Sequence, residues 1–218
     1  MLKKIRRKIE SIGFKNSLFF IVRRFFDVII RSDNLYFKCD LSINDSPDRL
    51  KNKDIKIIEK LSFSDITESE RKSFLELGTA TVLSVFEKKL AEGDRLFIAY
   101  INNEMAGLCW VNFGGNRKFY SIPLSDSIPL SENEFMLMSG YTIDRYRQRG
   151  VGTALVIEIL SKLKKEGYRW GYAVTNTWNI SQKVLLKMGF IIVGRFRELR
   201  LLRRNILIWT AVNKKDLD

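Results

Sequence analysis

A strand-like run, EFMLMSGYTI (134–143), leads through DRYRQRGVG into a segment with one apolar face, and this junction restricts the fold more than any other stretch. Gly150 and Gly152 permit a tight turn and close backbone approach. Leu155, Val156, Ile159, Leu160 and Leu163 then recur at helical spacing, which predicts a helix over 150–166 stopped by Gly167. A strand feeding a glycine turn and then a helix gathers free amides and the positive end of a helix dipole at one point. Arg145, Arg147 and Arg149 add long-range attraction for an anion. A dinucleotide fingerprint would need a small residue where Leu155 stands, and a Walker loop would need Gly-Lys-Ser/Thr, so both are excluded. Three readings remain at this stage: another phosphate-bearing cofactor, a fragment of a nucleic-acid surface, or an ordinary turn with solvated arginines.

The remaining pattern from residue 54 alternates strands and helices. DIKIIEKL reads as a strand, and SDITESERKSFLELGTATVLSVFEKKLAEGD as two helices divided near Gly78. RLFIAYINNEMAGLCWVNF is a strand, an Asn-Asn turn and a second strand. SIPLS occurs at 121 and again at 127, with two of the three prolines, and reads as a long loop. YRWGYAVT is a strand, NISQKVLLKM a short helix ended by Gly189, and FIIVGRF and NILIWTAV are closing strands. The order predicts an α/β (α+β) mixed sheet with helices on both faces.

Residues 1–53 differ and are set apart as a basic amphipathic extension before a domain at 54–218. Residues 1–38 carry ten Lys/Arg against three Asp/Glu, which is +7 of the chain's +13. Leu18, Ile21, Val22, Phe25 and Ile29 follow helical spacing. Such a stripe either packs on the core or a second copy, giving a homodimer, or lies on anionic lipid. Its apolar runs are broken by Arg23, Arg24 and Asp27, short of the ~20 residues of a membrane span. No small-residue cleavage site follows, so the expected location is cytoplasmic, or peripheral to the inner face of the membrane.

The chain has no histidine, which removes the usual general base and the Ser-His and Cys-His pairs. Cys39 and Cys109 are too few for a disulfide framework, and no metal site is expected. Chemistry is left to carboxylates, hydroxyls, backbone groups and a cofactor.

YRQRGVGTAL resembles the signature of the GNAT acetyltransferase superfamily, Gln/Arg-x-x-Gly-x-Gly/Ala, here Arg147, Gln148, Arg149, Gly150, Val151 and Gly152. YTIDRYR resembles that family's strand entering the loop, and SQKVLLKMGFIIVGRF its later helix ending in Gly-Phe. The resemblance runs from about 54 to 213. It implies the acyl-CoA N-acyltransferase fold, whose central strands splay, and acetyl-CoA as cofactor. The backbone of Tyr141, Thr142 and Ile143 would pair with the pantetheine arm. The amides of Gln148 through Thr153 would hold the pyrophosphate. Asn176, Asn179 and Ser181 resemble positions that reach the cofactor, and Ser181 reads equally as a helix-cap residue.

For catalysis, backbone N–H groups from Ser139 to Tyr141 would polarise the thioester carbonyl. Glu134, with Glu132 behind it, is the base candidate; the alternative is that both are solvated charges at a loop end. The family's usual acid is a tyrosine four residues before the Gly-Phe glycine, where this chain has Leu185. Tyr172, Tyr141, Ser181 or solvent would substitute, since a thiol has a pKa of about 8.5. The expected activity is N-acetylation of a primary amine on a small molecule, with an amino sugar of surface-polysaccharide synthesis as one acceptor. The alternative is a weakly active or inactive GNAT-fold protein acting at a membrane surface or on nucleic acid. Dispersed basic residues and the lack of a nucleic-acid module leave nucleic acid an unexpected partner.

Overall fold

A computed structural model describes residues 30–43, 54–76, 82–113, 130–201 and 204–211. They form eight strands: β1 (Ile30–Asp40), β2 (Lys56–Lys60), β3 (Arg95–Ile101), β4 (Glu104–Phe113), β5 (Glu134–Thr142), β6 (Trp170–Asn176), β7 (Ile191–Leu201) and β8 (Arg204–Ala211). Four helices lie among the described residues: α1 (Glu68–Glu76), α2 (Val82–Ala91), α3 (Val151–Lys165) and α4 (Ser181–Lys187). The strands are hydrogen-bonded in the order β2-β3-β4-β5-β6-β1-β7-β8, and both parallel and antiparallel pairs occur, as the alternating pattern predicts. By contacts the chain divides into residues 36–192 and a smaller unit of 1–35 with 193–218.

In the larger unit, β3 and β4 form the expected hairpin, with Asn102 and Asn103 at φ 52° and 64°. β4 is buried from Met105 to Phe113 because both of its faces are covered. Trp110 on one face meets Phe86 of α2 edge-on at 4.9 Å, and Phe86 meets Phe74 of α1 at 4.8 Å. On the other face Gly107 lies against Val151 of α3, which packs along β3, β4 and β5. α1 starts on a reciprocal cap: Thr67 N–H donates to Glu70 at 2.6 Å and Glu70 N–H to the Thr67 hydroxyl at 3.3 Å. The far end of α3 is tied to β3 by Arg95–Glu166 (2.6 Å) and to the edge strand β2 by Lys162–Glu59 (2.5 Å).

In the smaller unit, β7 and β8 pair antiparallel from Gly194↔Ala211 to Leu201↔Arg204, so β7 runs five residues beyond FIIVGRF. Asp33 of β1 accepts from Arg195 Nε at 2.7 Å and lies 3.7 Å from Arg197. Those guanidinium groups, Arg195 first, hold the Asp33 carboxyl below its usual pKa.

One expectation is corrected. Residues 30–38, which the helical reading of the basic extension took in, form most of β1. Their pairing partners lie far along the chain, and local periodicity carries no record of them. The Phe/Ile stripe before residue 30 and the SIPLS repeats lie outside the described residues.

Candidate functional site

β5 and β6 run parallel but part company. They pair from Glu134↔Trp170 to Leu137↔Ala173, and pairing stops there although β5 continues to Thr142 and β6 to Asn176. On its other edge β5 carries a bulge. Leu108 faces Tyr141 and Trp110 faces Met138, so Ser139 and Gly140 stand opposite Cys109 alone, with Ser139 at φ 49°. Ser139, Gly140 and Tyr141 are exposed. The splayed strands thus leave a stretch of β5 edge for a ligand.

The three residues expected to pair with pantetheine do not offer their backbone alike. Ile143 donates its amide to Ala106 O at 2.9 Å, so its amide is not available to a ligand, a correction to the expected set. Strand alternation turns the Tyr141 backbone towards β4 as well and leaves that of Thr142 facing the parted edge.

After a 3₁₀ turn at Asp144–Tyr146 the chain enters the glycine turn and then α3. Gln148 and Gly150 adopt left-handed φ of 63° and 81°. A Cβ on Gly150 would meet no protein atom within 4 Å, and one on Gly152 only Thr142 Oγ1 at 4.0 Å. Protein packing therefore does not demand glycine at 152; an open space before the helix remains for a ligand. Gly107 is the opposite case. A Cβ there would lie 2.6 Å from Tyr141 O and 2.8 Å from Val151 Cγ1, so its absence lets β4 seat both β5 and the start of α3. The amides of the first helical turn, from Val151 to Thr153, have no acceptor within the helix.

The arginines surround this turn. Arg147 pairs with Asp144 at 2.8 Å, Arg145 with Glu104 at 3.0 Å, and Arg149 lies over the Tyr146 ring at 5.5 Å. Buried Tyr146 anchors the turn by donating its hydroxyl to Glu104 at 2.5 Å. Free amides, an open space and exposed cations fit a pyrophosphate-bearing cofactor such as acetyl-CoA.

Beyond β6 the site differs in detail from expectation. The N-cap position of α4 is Ile180, not Ser181, and Asn179 Oδ1, one residue earlier, accepts from Ser181 N–H at 2.9 Å. The Ser181 hydroxyl shares a hydrogen bond with Thr175 Oγ1 at 2.9 Å. Asn176 receives Gln182 Nε2 on its backbone oxygen at 2.9 Å.

The two catalytic candidates are brought together. Tyr172 donates its hydroxyl to Glu134 Oε1 at 2.9 Å, and Ser131 N–H donates to Glu134 Oε2 at 2.8 Å. Glu134 is thus clamped rather than freely solvated, while Glu132 is exposed in the adjoining turn. Tyr36 of β1 stacks on Tyr172 with centroids 5.5 Å apart. Burial, then the bond to the Glu134 carboxylate, raises the Tyr172 pKa, which keeps its proton in place. Lys38 of β1 lies 3.7 Å above the Trp170 ring. The role of β1 in this wall was not read from the sequence. The bulge had a signal, Ser-Gly inside a strand pattern. Leu185 is buried and bears no proton to give.

Cys109 sits under the bulge, donating to Met138 O at 3.8 Å, and burial pushes its thiol pKa up to about 12. With Cys39 also buried, folded protein at pH 8 is expected to react with a disulfide reagent at least ~100-fold more slowly than free cysteine. Two rapidly titrating thiols would contradict this packing.

The model of the Acetyltransferase (GNAT) family matches residues 63–190, more than half of the chain. The chain belongs to this family. Its fold is similar to a glucosamine N-acetyltransferase region of a fungal multi-domain GH3 β-N-acetylglucosaminidase, at TM-score 0.57 and 17% identity over 81% of this chain and 22% of that one. It is similar to a tandem GNAT protein of the clavulanic acid pathway, at TM-score 0.55 and 15% identity over 78% and 52%. A GNAT acetyltransferase from Colwellia psychrerythraea gives 0.53 and 13% over 76% and 54%. The chain thus spans about half or less of those proteins' own length. No curated protein matches the sequence significantly.

Proposed function

We propose that the protein is an acetyl-CoA-dependent N-acetyltransferase acting on the primary amine of a small molecule. The observation that carries this reading is that the β5–β6 edge parts where the open N-terminus of α3 begins. The cofactor would supply an acetyl group activated as a thioester. The amides of Gln148 through Thr153 would hold its pyrophosphate, Arg147 and Arg149 would attract it, and Thr142 would meet its pantetheine arm. Asn176 and Asn179 border the same edge. Backbone N–H groups at the Ser139–Gly140 bulge would draw electron density from the carbonyl.

Glu134 lies five strand residues before Ser139, roughly 16 Å at ~3.3 Å per residue. It would therefore act on the amine only through a chain of several waters, with Tyr172 and Ser131 holding the carboxylate in one orientation. Solvent returns a proton to the thiolate, a modest demand for a group of pKa about 8.5. The fungal relative's name makes amino sugars the first acceptors to screen.

The test is thiol release from acetyl-CoA across a panel of amines. Glu134→Gln is expected to lower kcat about 100-fold, at the lower end for a general base. Tyr172→Phe, which only frees the carboxylate, should lower kcat about 10-fold. Neither should change acetyl-CoA affinity. Full activity in Glu134→Gln would remove Glu134 from the mechanism. Tight acetyl-CoA binding with no amine consumed would favour a binding role, for which the buried Leu185 is the structural reason.

A further inference from the structure

Four large apolar side chains at and around α4 stand in solvent: Trp178 (72% exposed), Ile180 (76%), Leu186 (49%) and Ile191 (62%). Single exposed apolar residues need no explanation, but Trp178 and Ile180 stand two residues apart in one turn, and large apolar groups exposed together mark a contact surface. The turn bearing the first two is held in place. Gln182 Nε2 donates to Asn176 O at 2.9 Å and to Thr177 O at 2.6 Å, and Asn179 N–H donates to Asn176 O at 2.9 Å. These bonds close the turn with Trp178 and Ile180 left outward. The exposed side continues along α4, where Leu185 is buried while Lys183, Leu186 and Lys187 are exposed. Ile180, Lys183 and Lys187 follow helical spacing, so one apolar and two cationic groups share a face.

Charge decides what such a face fits. From Gly167 to Arg197 the sequence has no Asp or Glu and five Lys/Arg. An amphipathic basic surface with tryptophan at its rim is the chemistry of the boundary between water and anionic lipid. We propose that this face docks on the surface of an anionic bilayer, with Trp178 and Ile180 entering the headgroup layer and Lys183 and Lys187 meeting lipid phosphates. Among the described residues no helix is long and apolar enough to cross a membrane, and the contact is with the surface. The turn follows the end of β6 at which β5 and β6 have parted, so docking sets the parted edge beside the lipid. This inference does not depend on the acetyl-transfer reading.

The full chain is floated with vesicles of phosphatidylcholine alone and with 30 mol% phosphatidylglycerol, at low and high salt. Binding is expected only to the anionic vesicles, weakened by salt. Trp178→Ala with Ile180→Ser should weaken it at least ~10-fold, and Lys183→Gln with Lys187→Gln about 30-fold, at about fivefold per lysine near an anionic surface. Indole emission should be quenched by spin-labelled lipid in the wild type and much less in Trp178→Phe. The proposal is overturned by equal binding to neutral vesicles, by no binding, or by unchanged binding of both double variants, which would assign contact to residues 1–38. Protection of Trp178 by coenzyme A but not by lipid would also overturn it, making the face part of the cofactor site.

Discussion

Gly150→Asp is expected to weaken acetyl-CoA binding about 100-fold, the loss of charge-assisted contacts at the helix start plus repulsion between like charges. The variant should still fold. Gly150 has φ 81°, and a non-glycine residue there costs about 1 kcal/mol. That is a fall in Tm of about 2–4 °C for a chain of this size. The added Cβ meets no protein atom, so packing contributes nothing to the loss. Gly150→Asn is the control, because it carries the same backbone cost without the charge. Calorimetry should place Asn between wild type and Asp. Wild-type affinity in the Asp variant would mean that no phosphate approaches this turn.

Gly107→Ala is expected to be the more damaging change to the fold. Its Cβ would lie 2.6 Å from a backbone oxygen and 2.8 Å from the Val151 side chain at the first turn of α3. Overpacking of this kind costs about 1–3 kcal/mol, and the upper part of that range applies because the nearest atom is backbone. Thermal unfolding should therefore fall by roughly 6–10 °C. Because the displaced atoms belong to Tyr141 and Val151, acetyl-CoA affinity should fall too, without any change in charge. A variant with wild-type Tm would show that β4 and α3 are further apart than described.

What sequence reasoning captured was local. The glycine turn, the helix after it and the strand before it lie within about 30 residues, and each is dictated by neighbours in the chain. The α3 stripe follows from periodicity, and the β3–β4 hairpin from its Asn-Asn turn, in the same way, whereas the contact of Trp110 with Phe86 does not. What it missed was non-local or a matter of competition. β1 is a strand because distant residues pair with it, while its flanking sequence has helical spacing. The bulge at Ser139 is visible as a small pair inside a strand, but its consequence for the backbone of Ile143 depends on the register with β4. Ser181 reads as a helix-cap residue by composition, but the helix starts one position differently, with Ile180 at the cap and Asn179 accepting the first amide. Glu134 and Tyr172 stand 38 residues apart, and only the fold joins them through a hydrogen bond.

β1 also carries a consequence for how the chain is made. Asp33 finds Arg195 across 162 residues, and Cys39 finds Met188 across 149. Closing loops of that length must wait, on a ribosome, until most of the polypeptide has emerged, and long-range pairings are slow to form. Meanwhile β1 is already outside, with its eventual sheet neighbours unmade. The interval between those two events is when this protein is most open to capture by a chaperone or to association with another unfinished copy.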